Sequence, residues 1–169
     1  MIQEIKAMKS RTAHLINRIF ISFLFTGITA VACLGQEPGR DRLTGTWDTA
    51  VTVIVCSSGN PITTFQSVGT FGVDGTFSGI TSGTPPNLRS PERGLWIHEK
   101  GNAYRFRFKA FLFNADGNAV GFQVVTHHLE LSDDSQTWSS VGVLQIFNMN
   151  GDQIGRGCSS AVGTRMMLD

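Results

Sequence analysis

The sequence predicts an all-β protein, a single eight-stranded antiparallel up-and-down β-barrel behind an N-terminal signal segment. Two observations predict the strands. From Gly45 onward the chain breaks into short runs rich in Val, Ile, Thr, Phe and Trp, separated by clusters of Gly, Asn and Asp that favour hairpin turns. No convincing helix interrupts them, and no Gly-rich repeat of fixed length points to a solenoid or propeller. A third observation predicts closure. Eight alternating strands leave the first and last antiparallel, and Trp47 with Arg165 and Cys56 with Cys158 fall in nearly one register. The spacing along each strand puts the Trp–Arg pair and the cysteine pair on opposite faces.

The chain ahead of the barrel reads as a targeting segment. Lys6, Lys9, Arg11 and Arg18 precede an uncharged run from Ile19 to Gly35 that ends in small residues. The run is barely long enough to span a bilayer, and Ala30-Val31-Ala32 has the small-x-small pattern that a signal peptidase reads. Residues 1–35 are therefore expected to be a cleaved signal peptide and residues 36–169 the barrel domain. Ala30-Val31-Ala32-Cys33 is also similar to a bacterial lipoprotein box, which would end the signal before Cys33 and make that cysteine a lipid anchor. The mature protein is then secreted or periplasmic, or held by lipid at the outer membrane.

Without the signal, 134 residues remain, with 10 Lys+Arg against 12 Asp+Glu and a net charge of about −2. That leaves no basic footprint for nucleic acid. The length suits one domain. Cys56 and Cys158 become an even pair in an oxidising compartment, where a disulfide is expected. No His lies at ligand spacing from either, so a metal site is not expected there.

The strands follow in order. The first, Gly45 to Cys56, and the second, Ile62 to Phe71, are joined by Ser58-Gly59-Asn60-Pro61. The third, Thr76 to Ser82, is entered through Asp74-Gly75. The fourth and fifth, Gly94 to Lys100 and Ala103 to Asn114, are joined by Gly101-Asn102, and Asp116-Gly117 leads into the sixth, Val120 to Leu131. The seventh and eighth, Thr137 to Asn148 and Gln153 to Met167, meet at Asn150-Gly151. Several of these connections supply the positive φ that tight hairpins need. The one long connection, Gly83 to Arg93, carries Pro85-Pro86 and Pro91, which cannot sit in a central strand; it is expected to lie over one mouth of the barrel. Gly142, Gly155, Gly157 and Gly163 weaken flat pairing and suit the bends of a closing barrel.

With Gly45-Thr46-Trp47 at the start of the first strand and Arg165 near the end of the last, the chain resembles the calycin barrels, the grouping of lipocalins, fatty-acid-binding proteins and avidin-like proteins. The resemblance implies that Trp47 packs against Arg165 and seals one end of the barrel. It covers most of the mature chain but brings no biotin-type constellation and no further lipocalin motif.

The hairpin at Asp116-Gly117 shows which side chains face inward. Tyr104, Phe106, Phe108, Ala110 and Leu112 alternate with Arg105, Arg107, Lys109, Phe111 and Phe113, so the first set is the expected inner face and the basic set faces water. Pairing across the turn sets Phe106 beside His127, Ala110 beside Gln123 and Arg105 beside His128, which puts His127 and Gln123 inside and His128 and Glu130 outside. Two readings of this interior stand. A few polar groups among aromatic walls is the make-up of a small-molecule pocket, lined by Tyr104, Phe106, Phe108, Gln123 and His127. Eight strands also leave a lumen that side chains can fill, with His127 and Gln123 merely hydrogen-bonded to neighbours. The outward Arg105, Arg107 and Lys109 read as an ordinary charged face before they read as an anion-binding stripe.

Catalytic constellations are poor. His127 and His128 point to opposite faces and cannot chelate one metal, and His98 could join one of them only through tertiary contact. Ser159 and Ser160 lack a nucleophile-elbow context and read as strand residues, and Asp133-Asp134 reads as a turn. No catalytic residue, metal ligand or cofactor site is assigned. The expected function is non-catalytic binding of a small, largely apolar molecule in the lumen. The alternatives are an isomerase or cyclase of the barrel type, and a protease inhibitor or surface interaction protein acting through its loops.

Overall fold

The computed structural model describes residues 41–168. The expected signal segment and Cys33 lie outside the described residues. Eight strands run in chain order: β1 (Gly45–Ile54), β2 (Pro61–Phe71), β3 (Thr76–Thr81), β4 (Glu92–Lys100), β5 (Ala103–Phe113), β6 (Ala119–Leu131), β7 (Thr137–Asn148) and β8 (Gln153–Arg165). Each pairs antiparallel with the next and β8 returns to β1, so the sheet is a closed barrel without free edges. The hairpins turn on left-handed glycines where the sequence places them, among them Gly75, Gly101, Gly117 and Gly151.

The closing ladder pairs Trp47 with Arg165 and Ile54 with Cys158. Cys56 is therefore not opposite Cys158 in the ladder, and it lies beyond the end of β1 rather than in it. The connection after Ile54 brings it back, and the Cys56–Cys158 disulfide forms across a Cα–Cα distance of 5.2 Å. It closes a loop with a sequence separation of 102.

The fourth strand starts earlier than expected. Glu92 and Arg93 belong to β4, because Pro91 stands one residue ahead of the ladder, where its missing N–H costs nothing. The long connection, 82–91, does not simply lie across the mouth. Its end pairs onto β5: Phe113 N donates to Leu88 O, Ser90 N to Phe111 O and Phe111 N to Ser90 Oγ, each at 2.9 Å, and Arg89 bridges Leu112.

One half of the barrel is filled. Leu43, Trp47, Phe71, Tyr104 and Leu131 are the largest fully buried side chains, and Trp96, Leu129 and Trp138 pack with them. Trp47 and Trp138 meet edge to face at 6.2 Å, as do Phe71 and Trp96 at 6.1 Å. Across this end Arg165 lies over the Trp47 ring, 4.3 Å from its centroid. Its guanidinium donates to three carbonyls, Ser135 O and Thr44 O at 2.8 Å and Arg42 O. Arg42 in turn ties down the β4–β5 and β6–β7 turns through Asn102 Oδ1, Ser135 Oγ, Ser132 O and Asp133 O. The planar fork of each arginine serves several acceptors at once, which a lysine cannot do.

Replacing Arg165 by Met should cost about 2–3 kcal/mol in urea unfolding, because a ring contact and several charge-assisted hydrogen bonds go together. Arg165→Lys should recover less than half of that loss. A lysine variant as stable as wild type would show that charge alone, not the fork, closes this end.

Candidate functional site

The other half of the barrel is hollow. A cavity of about 180 Å³ opens among all eight strands, walled by Val51, Phe65, Phe106, Phe108, Val125 and Leu144 with Trp138 and Phe71 as its floor. Alternation along each strand puts these side chains inside. The rings form one continuous surface: Phe106 stands 5.3 Å from Phe71, 5.0 Å from Phe77 and 6.3 Å from Phe108.

The register between β5 and β6 pairs Phe106 with His127, Ala110 with Gln123 and Arg105 with His128. Phe106, Phe108, Gln123 and His127 line the cavity. Tyr104 shares their inward face but not the cavity. It sits in the filled half, stacked on His98 at 4.6 Å and beside Trp96 at 6.0 Å. Burial, and after it the Asp41 carboxylate to which it bonds, push its phenol up to about 12. His98 is occupied here too, bonded to Gly101 O at 2.8 Å, and it meets neither His127 nor His128.

His127 is 4 % exposed and fully partnered. Its Nδ1 lies 2.8 Å from Ser140 Oγ and its Nε2 3.1 Å from Ser159 Oγ, and its ring stacks on Phe106 at 5.2 Å. Either tautomer is satisfied, since each hydroxyl can donate or accept. Gly142 makes this reach possible. It is the ladder partner of both His127 and Ser159, and a Cβ at that position would stand 2.6 Å from His127 Nε2. Gly163 likewise leaves room for the Trp138 ring. At these two positions glycine admits an inward ring rather than a bend. Burial first, and the neighbouring His128 second, hold the His127 imidazole down to about 4.

A second polar group lines the cavity beside Gln123 and Phe108, and sequence reasoning missed it. Arg89 and Glu92 form an ion pair at 2.8 Å with side chains only 6 % and 5 % exposed. Arg89 comes from the 82–91 connection. Its bridge to the inward Leu112 turns it into the lumen, over the Phe108 ring at 6.0 Å. With its amide oxygen toward the guanidinium, Gln123 accepts from Arg89 Nε at 2.7 Å and from the same terminal nitrogen that meets Glu92. Burial raises the Glu92 carboxyl above its ordinary range, and the Arg89 charge and hydrogen bond oppose that. Glu92 carried an available signal, since it alternates in phase with Gly94 and Trp96. Arg89 carried none, because a connection has no period. Among the described residues no group of three His, Cys, Asp or Glu gathers as a metal site.

No protein-family model matches the chain, and no curated protein matches it in sequence. Among solved structures it is similar to Rv2717c from M. tuberculosis, with a TM-score of 0.37 and 12 % identity over 75 % of this chain and 94 % of that one.

The depressed imidazole makes stability depend on pH. In the unfolded chain His127 takes up a proton near pH 6.5, and in the folded chain only near pH 4. The contribution is therefore full above pH 6.5 and is lost as pH falls toward 4, to a limit of about 3 kcal/mol. Relative to His127→Phe, wild type should lose that stability across this window in urea titrations. Parallel profiles for the two proteins would show that the imidazole is not buried neutral.

Proposed function

We propose that this barrel carries a small, largely apolar molecule in its lumen, outside the cytoplasm, and does not transform it. The cavity supports this reading most directly. The chain fills one half of its barrel with buried side chains and leaves about 180 Å³ open in the other. A void of ~150 Å³ with apolar walls is enough to hold benzene. Aromatic walls with few polar groups are the ordinary make-up of a binding pocket.

The state of the polar groups favours a carrier over an enzyme. A general acid or base works best with a pKa near the working pH. His127 is held down to about 4 and is tied by both nitrogens to serine hydroxyls. Export belongs to the same proposal, by a cleaved signal peptide or, alternatively, with a lipid anchor at Cys33, and the disulfide is compatible with an oxidising location. So does kinship with the calycin barrels, for which the Trp47–Arg165 contact is the supporting feature.

Native mass spectrometry of protein purified from its own host should show a mass above that of the bare chain. Phe106→Trp should fill the lumen and remove the excess while the far-ultraviolet circular dichroism is retained. Its overpacking cost is about 1–3 kcal/mol. Leu144→Phe, at the cavity wall, fills the same space from another strand and should act in the same way. An excess mass that survives both variants would put the ligand elsewhere, and a bare mass in wild type together with no calorimetric binding of naphthalene derivatives would overturn the reading.

A further inference from the structure

We infer that the lumen selects uncharged ligands, and that the buried Arg89–Glu92 pair imposes this selectivity; the inference rests on the carrier reading above. Among the described residues the ionisable side chains lining the cavity are Arg89, Glu92 and His127. His127 carries two hydroxyl partners and no acid. Arg89 is answered by Glu92 at 2.8 Å, and Gln123 caps the same edge of the guanidinium. The wall is therefore polar at this point but has no net charge.

A pair of this kind resists charged guests of either sign. A ligand carboxylate that reached Arg89 would have to displace Glu92, which would then stand unpaired among aromatic rings. A ligand ammonium at Glu92 would strand Arg89 in the same way. Removing one partner of a buried ion pair is strongly unfavourable because the other stays desolvated. Gly79, the ladder partner of Glu92 on β3, makes room for this carboxylate, since a Cβ there would stand 2.7 Å from its Oε2. Phe77 and Phe108, stacked at 5.5 Å, line the cavity beside the pair. A neutral ligand leaves the pair intact and gains the ring contacts. The cavity volume points to one or two rings, or an aliphatic group of that bulk, bearing at most a hydroxyl or carbonyl.

The test uses three probes with one skeleton, 2-naphthalenemethanol, 2-naphthoate and 2-naphthylmethylammonium, titrated calorimetrically at neutral pH. Wild type should bind the alcohol at least about a hundredfold more tightly than either ion, the lower end of the penalty that an unpaired buried charge implies. Glu92→Gln keeps the shape of the side chain and frees Arg89, so it should invert the order in favour of 2-naphthoate. Arg89→Gln should do the same for the ammonium probe, which keeps the question answerable if one variant fails to fold. Wild type that binds 2-naphthoate as tightly as the alcohol overturns the inference, and so do folded variants that gain neither ion. Wild type that binds none of the three overturns the carrier reading itself.

Discussion

The closing ladder between β8 and β1 is the constraint on which everything else depends. It sets Trp47 opposite Arg165, and with one register fixed, alternation decides which side chain of every strand enters the lumen. The guanidinium of Arg165 makes that register costly to change. It rests on the Trp47 ring and collects carbonyls from the approach to β1 and from the β6–β7 turn. A slip would separate these groups and would turn the apolar set of β1 or β8 toward water. The disulfide acts on the same seam nearer the other end, so the closure is held at two heights.

From that seam follows the division of the interior. Large rings from β1, β2, β4, β5 and β7 converge at the sealed end and exhaust the space there. Toward the open end the wall thins to Val51, Val53, Val125, Ala161 and Gly157 on the neighbouring strands, and side chains of that size do not meet across an eight-stranded barrel. The ionisable groups that enter this space come in closed sets. His127 is matched by two serines, and Arg89 by a carboxylate and an amide. Each set answers its own hydrogen-bonding need without help from a guest, which suits a pocket whose affinity comes from apolar contact.

Much of this was legible in the sequence, and the reasons are specific. The pairing of Phe106 with His127 could be read because the Asp116-Gly117 turn fixes the register between two strongly alternating runs, and the one irregularity, between Leu112 and Phe113, falls on the turn side of it. The fold class could be read because strand, turn and closure signals agreed. What could not be read needed contacts across more than one ladder. Ser159 meets His127 only because Gly142 lies between them, a relation that spans β6, β7 and β8. Arg89 enters the lumen from a connection whose course is set by pairing to β5, and no local pattern encodes that. Tyr104 has the parity of a cavity residue, yet lies in the filled half; alternation gives the face but not the height at which the packed rings stop.

Diffraction from crystals pressurised with xenon shows whether the half-barrel above Phe71 and Trp138 is a dry, fillable space. Xenon is taken up by apolar cavities that water leaves empty. Xenon density is expected among Phe106, Val125 and Leu144, with none between Trp47 and Arg165. A lumen filled by ordered water hydrogen-bonded to Arg89 and His127, or closed by the side chains of its own wall, would contradict it.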